Sequence, residues 1–243
     1  MTKLTLILPA YNEATILPWS VRTVMGYASA ALQAFDWSLV VVDNASTDNT
    51  SAVVVALQQE LPGLQYLRIP QKGRGIALRT AWNTMDFDIS LYMDVDLAVA
   101  LDAVAPLVDM IASGAADIAV GSRYATGAKI QRSFMRSVTS VGYNFLTRLC
   151  IQLKTRDAQC GFKAIRKAVA VQLLPSVRDD GWFFDTELLL QAERRGFRVR
   201  ALPVSWVETR PALRKSKVHV LRTITHYLIQ LFRLRVAMLR GRL

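Results

Sequence analysis

Cysteine and histidine are almost missing from this chain: Cys150, Cys160, His219 and His226 are the only ones in 243 residues. Two cysteines are too few for a disulfide framework and fit a reducing compartment. Two histidines, both near the C-terminus, argue against a Zn²⁺ site and read as ordinary helix-face residues. No uncharged apolar run reaches the roughly 20 residues that a membrane-spanning helix needs. Low-complexity tracts and fixed-period repeats are absent as well, which excludes disordered and solenoid architectures. Residues 1–10 lack a basic leader and a small-residue cleavage site, so they do not resemble a signal peptide, and the mature chain is expected to start in a strand facing the cytosol. Two nucleotide-binding fingerprints are also missing. G-x-x-x-x-G-K-[ST] does not occur, and G-x-G-x-x-G fails because Leu78 stands where its third glycine belongs.

What the chain has in plenty is hydrophobic content, 52%, and positive charge, with a net of +11. The charge is divided unevenly. Residues 1–120 hold 6 Lys+Arg and 12 Asp+Glu, a net of −6, whereas residues 121–243 hold 24 and 7, a net of +17. An acidic half suits a cation; a basic half suits phosphates, of anionic lipid or of nucleic acid. An unevenly charged solvated surface is the plainer alternative.

Short apolar, β-branched or aromatic runs at residues 4–8, 39–42, 64–69, 89–93 and 118–120 read as buried parallel strands. Helical spacing of apolar residues marks 13–34, 47–61, 75–85 and 101–112 between them. Alternating β and α predicts an α/β fold with a doubly wound, mainly parallel sheet, whose ligands bind beyond the carboxyl ends of the strands. Beyond residue 121 come a mixed apolar and basic helix at 134–151, a strand at 161–165, a helix at 184–195 and a strand at 199–207. In the terminal helix, 217–239, Val220, Ile224, Tyr227, Leu228, Leu231, Leu234 and Met238 share one face. Such a helix can lie on a bilayer but not cross it. The expected division is a catalytic domain at 1–215, with halves 1–120 and 121–215, followed by a basic amphipathic membrane-surface helix at 216–243.

Chemistry-bearing residues cluster at the predicted strand ends. Asp94-Val95-Asp96 follows strand 89–93 directly, and residues i and i+2 of an extended backbone point to the same side. Two carboxylates so placed repel unless a cation lies between them. Mg²⁺ or Mn²⁺ takes few protein oxygens and completes its shell with water and substrate phosphates, which suits a nucleotide diphosphate. Helix capping by one Asp is the competing reading of that tripeptide. Pro9-Ala10-Tyr11-Asn12-Glu13 and the run from Asp43 to Asp48 end the first two strands, where a ring can face a base and an Asp can accept from it. Asn12 and Ser46 also suit helix N-caps. At Lys72-Gly73-Arg74-Gly75, two glycines let backbone N–H groups approach a phosphate beside two cations.

Taken together, Tyr11-Asn12-Glu13, Asp43 to Asp48, Lys72 to Gly75, Asp94-Val95-Asp96 and Gly121-Ser122-Arg123 resemble glycosyltransferase family 2, with its GT-A fold. Asp157 to Lys163, Trp182 to Leu189 and Val204 to Glu208 followed by Ser216-Lys217 look like the dolichyl-phosphate glucosyltransferase branch, kin of the dolichol-phosphate mannose synthases. The resemblance implies that Pro9, Tyr11, Glu13 and Asp43 line a nucleoside pocket, with Lys72 and Arg74 on the nucleotide sugar. Asp94 and Asp96 would hold Mg²⁺ or Mn²⁺ on the diphosphate, and Arg123, Arg132, Arg136, Arg214 and Lys217 would bind donor or acceptor phosphates. It leaves Arg210 and Arg214 as alternatives for one phosphate contact, because residues 209–215 look inserted. Asn44 departs from the family's second acidic residue, and Ala98 stands where mannose synthases can supply a Gln ligand.

The reaction so implied is inverting transfer of a hexose from a nucleotide sugar, UDP-glucose ahead of UDP-N-acetylglucosamine and GDP-mannose, to a polyprenyl or dolichyl phosphate. Its place would be the cytoplasmic membrane face, with the protein peripheral. An acceptor phosphate with a second pKa near ~6 is already an anion at neutral pH and needs no general base. Asp185 and Glu187 either orient sugar hydroxyls or the acceptor, or simply favour a helix N-terminus. A sugar-nucleotide pyrophosphorylase would have little use for the basic amphipathic terminus. An RNA-binding module lacks an aromatic RNP run or GXXG loop, so no nucleic acid partner is expected.

Overall fold

The computed structural model describes residues 1–131, 134–207 and 220–241. In chain order the elements are β1 (Thr2–Ala10), α1 (Leu17–Ala31), β2 (Phe35–Asn44), α2 (Thr50–Glu60), β3 (Leu64–Ile69), α3 (Arg74–Thr84), β4 (Ile89–Met93), α4 (Val104–Ala112), β5 (Ile118–Ser122), β6 (Lys129–Gln131), α5 (Phe134–Ile151), β7 (Phe162–Arg166), α6 (Lys167–Leu173), α7 (Phe184–Arg194), β8 (Val199–Pro203), β9 (Ser205–Val207) and α8 (Val220–Leu239). Seven strands form one sheet in the order β3-β2-β1-β4-β7-β5-β8. Only β7 runs against its neighbours, between β4 and β5. The sheet is therefore mainly parallel, as the alternating pattern predicts.

Apolar runs serve both faces of this sheet because successive side chains alternate. Leu4, Leu6, Leu8, Leu39 and Val41 enter the core beneath α1, α2 and α4. Ile7, Val40, Val42, Tyr92 and Ile118 enter the opposite core, under α3, α6 and α7. The result is three layers, with the loops that carry the predicted site residues at the carboxyl ends of β1, β2 and β4.

Several expectations change in detail. The single strand expected at 199–207 is two, because Pro203 has no N–H to continue a ladder. The chain changes sheets at buried Val204: β8 pairs with β5, and β9 pairs with the short β6. Neither Asn12 nor Ser46 caps a helix, since Ile16 and Asn49 occupy the N-cap positions of α1 and α2. Instead Asn12 N donates to Ser46 Oγ at 2.9 Å, while Asn12 Oδ1 accepts from Thr47 N at 2.7 Å. The two loops thereby tie each other at the sheet's edge.

The terminal helix divides its apolar residues between two surfaces. Leu231 and Leu234 are buried, and Tyr227 packs on Tyr143 and Phe183 at centroid distances of 4.9 and 5.5 Å. Tyr227 OH also donates to Gln159 Oε1 at 3.1 Å. Ile224 and Leu228, expected on the same face, point outward with Ile229, Phe232 and Leu239. One stripe is too narrow to serve both the protein and a bilayer, and the contacts made by α5 and α7 decide which residues turn inward. His226 is likewise more than a helix-face residue, with Nε2 2.6 Å from Asp179 Oδ2. No helix of the described residues is long and apolar enough to cross a membrane.

The glycines at 73 and 75 admit protein rather than phosphate. A Cβ at Gly73 would stand 2.2 Å from Asp180 O, and one at Gly75 would stand 2.7 Å from Phe184 Cβ and 2.8 Å from Asp179 O. Gly75 N and Ile76 N donate to Gly181 O and Asp180 O, and Gly73 N donates to Asn44 Oδ1. The expected phosphate nest is a seam between α3 and the loop preceding α7. Gly75→Ala is expected to destabilise the protein by roughly 1–3 kcal/mol through overpacking, read as a lowered midpoint in urea unfolding.

Candidate functional site

The carboxyl ends of β1 and β2 bring four predicted residues to one edge. Pro9 and Ala10 sit in register with Val42 and Asp43, so Tyr11 and Glu13 emerge beside Asp43. Asp43 is fully buried, with Oδ1 accepting from Ser46 N at 2.9 Å and Oδ2 from Tyr66 OH at 3.0 Å. Arg68 Nε stands 4.0 Å away. Lys72 Nζ lies 3.9 Å from the Tyr11 ring centroid, a cation–π distance that joins two predicted residues from separate loops. Asn44 donates from Nδ2 to Ala10 O at 2.8 Å and accepts at Oδ1 from Gly73 N. An ionised carboxylate could accept but not donate here, so the departure from an acidic residue ties β1, β2 and the Lys72–Gly75 segment together.

Asp94 and Asp96 flank buried Val95 in a turn, not in an extension of β4. Leu97 N donates to Asp94 O at 3.0 Å, and Leu97 has a φ of 47°, in the left-handed region. The two carboxylates remain together because Val95 is drawn into the core, its carbonyl accepting from Ser20 Oγ at 2.5 Å. The side chain of Asp94 is 44% exposed. Its other side rests on Gly161, where a Cβ would lie 2.0 Å from Asp94 Oδ2. Gly161 was legible in the sequence only as part of a motif; its role as the floor under a carboxylate depends on the antiparallel pairing of β7 with β4.

Arg74 lies behind Asp94, 7% exposed, with Nη2 3.5 Å from Asp94 Oδ1 and Nη1 3.3 Å from Asp185 Oδ2. Asp185 also takes Lys163 Nζ at 3.0 Å and the Tyr92 hydroxyl. The rings of Tyr92 and Trp182 flank the Arg74 guanidinium at 5.3 and 5.4 Å. Burial would raise the Asp185 carboxyl, but Arg74 and Lys163 outweigh it and hold the group below the usual carboxylate range. Asp94 is pushed upward, first by loss of solvent and then by Asp96 and Asp185, against the pull of Arg74. Lys163 and Trp182 were legible only as the ends of motif stretches, and Tyr92, inside an apolar strand, carried no distinguishing sequence signal.

Other predicted contacts are committed elsewhere. Arg123 donates from Nε and Nη2 to both oxygens of buried Asp157, at 2.9 and 2.7 Å, so its charge is matched by protein and not presented to a ligand phosphate. Arg74 likewise spends its charge on Asp94 and Asp185. Glu187 lies on the far flank of α7, where Oε2 accepts from Arg178 N and Asp179 N at 2.8 Å and Oε1 takes Arg233 Nη2 at 2.6 Å. It holds a loop and the terminal helix and orients nothing at the carboxylate pair. Asp185 is enclosed, and acts on the site through Arg74. Arg132, Arg210, Arg214 and Lys217 lie outside the described residues, as does the side chain of Arg136. Among the described residues there is no cluster of three or more His, Cys, Asp or Glu side chains suited to a metal. Buried Cys160 has its thiol pushed up to about 12 by loss of solvent, which leaves it an unreactive core group.

This geometry has counterparts among known proteins. The chain is 35% identical over 205 residues to glycosyltransferase AglD of Haloferax volcanii, covering 84% of this chain and 33% of that protein. It is 28% identical over 224 residues to the dolichyl-phosphate beta-glucosyltransferase of Saccharomyces cerevisiae, covering 84% and 67%. With the dolichyl-phosphate beta-glucosyltransferase ALG5C of Trichomonas vaginalis it shares 32% over 214 residues, covering 84% and 64%. The chain thus spans a third of the archaeal relative and about two thirds of the others. The fold resembles mannosyl-3-phosphoglycerate synthase from Rubrobacter xylanophilus, with a TM-score of 0.67, 15% identity, and coverage of 100% of this chain and 76% of that one. It also resembles the mannosyltransferase PcManGT from Pyrobaculum calidifontis, solved with GDP-Man and Mn²⁺, with a TM-score of 0.60, 21% identity, and coverage of 96% and 63%. These are GT-A architectures. The model of glycosyl transferase family 2 matches residues 5–174, most of the chain and every strand end that carries the carboxylates. The chain belongs to glycosyl transferase family 2.

Proposed function

We propose that this protein transfers a hexose from a nucleotide sugar to a polyprenyl or dolichyl phosphate at a membrane surface, at its cytoplasmic face, with UDP-glucose as donor. UDP-N-acetylglucosamine and then GDP-mannose are the next donors in order. The observation that carries the reading is the Asp94 and Asp96 pair at the sheet's carboxyl edge, backed by Arg74 and Asp185. Relatives named dolichyl-phosphate beta-glucosyltransferase support the acceptor class and the sugar. Tyr11, Glu13 and Asp43 at the neighbouring strand ends are the nucleoside-facing group, with Pro9 and Lys72 beside them.

Asp94 and Asp96 fit Mg²⁺ or Mn²⁺. Asp94 is raised above its usual range and partly open, and such cations need only one or two carboxylates when phosphates complete the shell. The bound ion would supply positive charge to the departing nucleotide diphosphate. Everything else falls to the chain. Arg74 and Gly161 set the position of Asp94; Asp185 and Lys163 set the position of Arg74. Asp185, held ionised by two cations, is enclosed and takes no proton from an acceptor. None needs taking, because a lipid phosphate monoester is already anionic at neutral pH. Its oxygen attacks the anomeric carbon in line, the bond to the nucleotide diphosphate breaks, and configuration inverts.

The membrane contact rests on two helices. Val141, Phe145 and Leu149 form an exposed stripe on α5, and Leu228, Phe232 and Leu239 form another on α8, which packs along α5. Apolar stripes on helices rich in Arg suit the interface of an anionic bilayer.

Asp94→Asn or Asp96→Asn should keep the fold and lower transfer to polyprenyl phosphate by roughly 10²-fold or more. Turnover equal to wild type for both variants in excess chelator would refute the metal assignment. Gly161→Ala, which must displace the Asp94 carboxylate, should raise the Mn²⁺ concentration needed for half-maximal rate, with UDP-glucose saturating. Inhibition by GDP and none by UDP would reverse the donor order. Phe145→Asp with Phe232→Asp should release the protein from phosphatidylcholine–phosphatidylglycerol vesicles in sedimentation, and unchanged binding would place the contact elsewhere.

A further inference from the structure

A cationic cavity lies away from the carboxylate pair. It measures about 410 Å³ and is enclosed by the turn after α6, by α7 and by the C-terminal half of α8. Arg178, Arg195, Arg233 and Arg240 line it, with Glu187 as the one carboxylate. Glu187 is already spent: both oxygens are engaged, one on Arg233 and the other on two backbone N–H groups. Arg195 donates to the uncharged Gln172 O and Ser176 Oγ. The side chains of Arg178 and Arg240 are exposed and make neither hydrogen bond nor ion pair among the described residues.

Four guanidinium groups around one committed carboxylate leave a surplus of three positive charges. Like charges gathered around one cavity repel, and an anion bound among them relieves the repulsion. Guanidinium forks match phosphate oxygens in planar, two-point geometry. A further polar group points to what accompanies the phosphate. Gln191 is only 3% exposed, lines the cavity, and its side-chain amide has no hydrogen-bond partner among the described residues. An amide offers both a donor and an acceptor, which fits a phosphate carrying a neighbouring hydroxyl or ester oxygen. The volume suits such a headgroup.

The position of the cavity selects its source. Val236 and Ala237 form part of its wall. On the same helix, Ile229, Phe232 and Leu239 stand outward with their side chains open to solvent. A phosphate entering beside α8 would therefore have its attached hydrocarbon next to an apolar helix face. Asp185 and Glu187, two residues apart on α7, point to different sites, the first toward Arg74 and the second into this cavity. The cavity is thus separate from the place where sugar transfer is proposed.

We propose that this cavity holds the headgroup of an anionic glycerophospholipid, a lipid distinct from the phosphate that accepts sugar. The assignment rests on the membrane docking proposed above and names its recognition element. The test uses the full chain, with vesicles of phosphatidylcholine alone or with phosphatidylglycerol. Arg178→Ala with Arg240→Ala removes two exposed side chains that hold no part of the fold. Lys154→Ala with Arg200→Ala, from a different cleft, removes the same charge. The first pair should lower partition onto phosphatidylglycerol vesicles about tenfold more than the second. Equal losses would reduce the effect to diffuse attraction and overturn the site. If soluble glycerol phosphate stabilises the wild type at low millimolar concentration without displacing it from these vesicles, the ligand is a free phosphate and the lipid assignment falls. Phe145→Asp with Phe232→Asp separates the two failures. Release by this pair without any effect of the arginine pair sinks the headgroup site alone, whereas retention sinks the docking reading beneath it.

Discussion

The site depends on the burial of charge around Arg74. A guanidinium and an ammonium, Arg74 and Lys163, are enclosed with the carboxylate of Asp185 and the Tyr92 hydroxyl, and the partly exposed Asp94 closes the group on its outer side. Enclosing such charges is expensive, and removing one partner from a buried pair typically costs about 3–5 kcal/mol because the other is left uncompensated. The set therefore behaves as a unit: each member is needed to make the others tolerable. Its contributions come from β4, α3, β7 and α7, so correct packing of four elements is a condition for a correctly placed Asp94. A loosely packed interior would leave a buried charge unmatched, which is a strong discriminator against near-native alternatives.

The loop from Arg178 to Gly181 carries this constraint outward. Its carbonyls at Asp180 and Gly181 receive N–H groups from the start of α3, directly beside Arg74. Its N–H groups at Arg178 and Asp179 are held by Glu187, and the Asp179 side chain meets His226 on the terminal helix. One short segment thus touches the helix that carries Arg74, the helix that carries Asp185, and the helix with the exposed apolar stripe. The exposed apolar stripe of α8 and the carboxylate pair are neighbours in a chain of packed contacts, although they are distant in sequence. Gly73 and Gly75 make this possible, since a side chain at either would occupy the space of the loop.

Much of the frame was legible without coordinates. The parallel strands of the first half announced themselves as short apolar runs: the inner ones are largely buried on both faces and have little polar side to show, while the edge strand β3 exposes Gln65 and Arg68. The location of the candidate site followed from that, since loops at the carboxyl ends of such strands are where ligands reach the sheet. What could not be read was partnership. Arg123 and Asp157 are 34 positions apart, and no periodicity announces that they close a bidentate pair. The exposed β6 and the break at Pro203 left no hydrophobic signature, as neither buries a regular face.

Local residue preference and apolar spacing by themselves determined the layered α/β frame, the carboxylate pair at a strand end, and the amphipathic character of the last helix. These properties are set by residues close together in the chain. Tertiary structure alone decided which charges remain available. It matched Arg123 with Asp157, turned Arg74 from a presumed ligand contact into the support of Asp94, withdrew Glu187 to the far side of α7, and divided the apolar residues of α8 between protein and solvent. The physical reason is that a charge is used up by whichever opposite charge lies within a few ångströms of it in a low-dielectric interior. That neighbour is chosen by the packing of distant elements, about which the local sequence is silent.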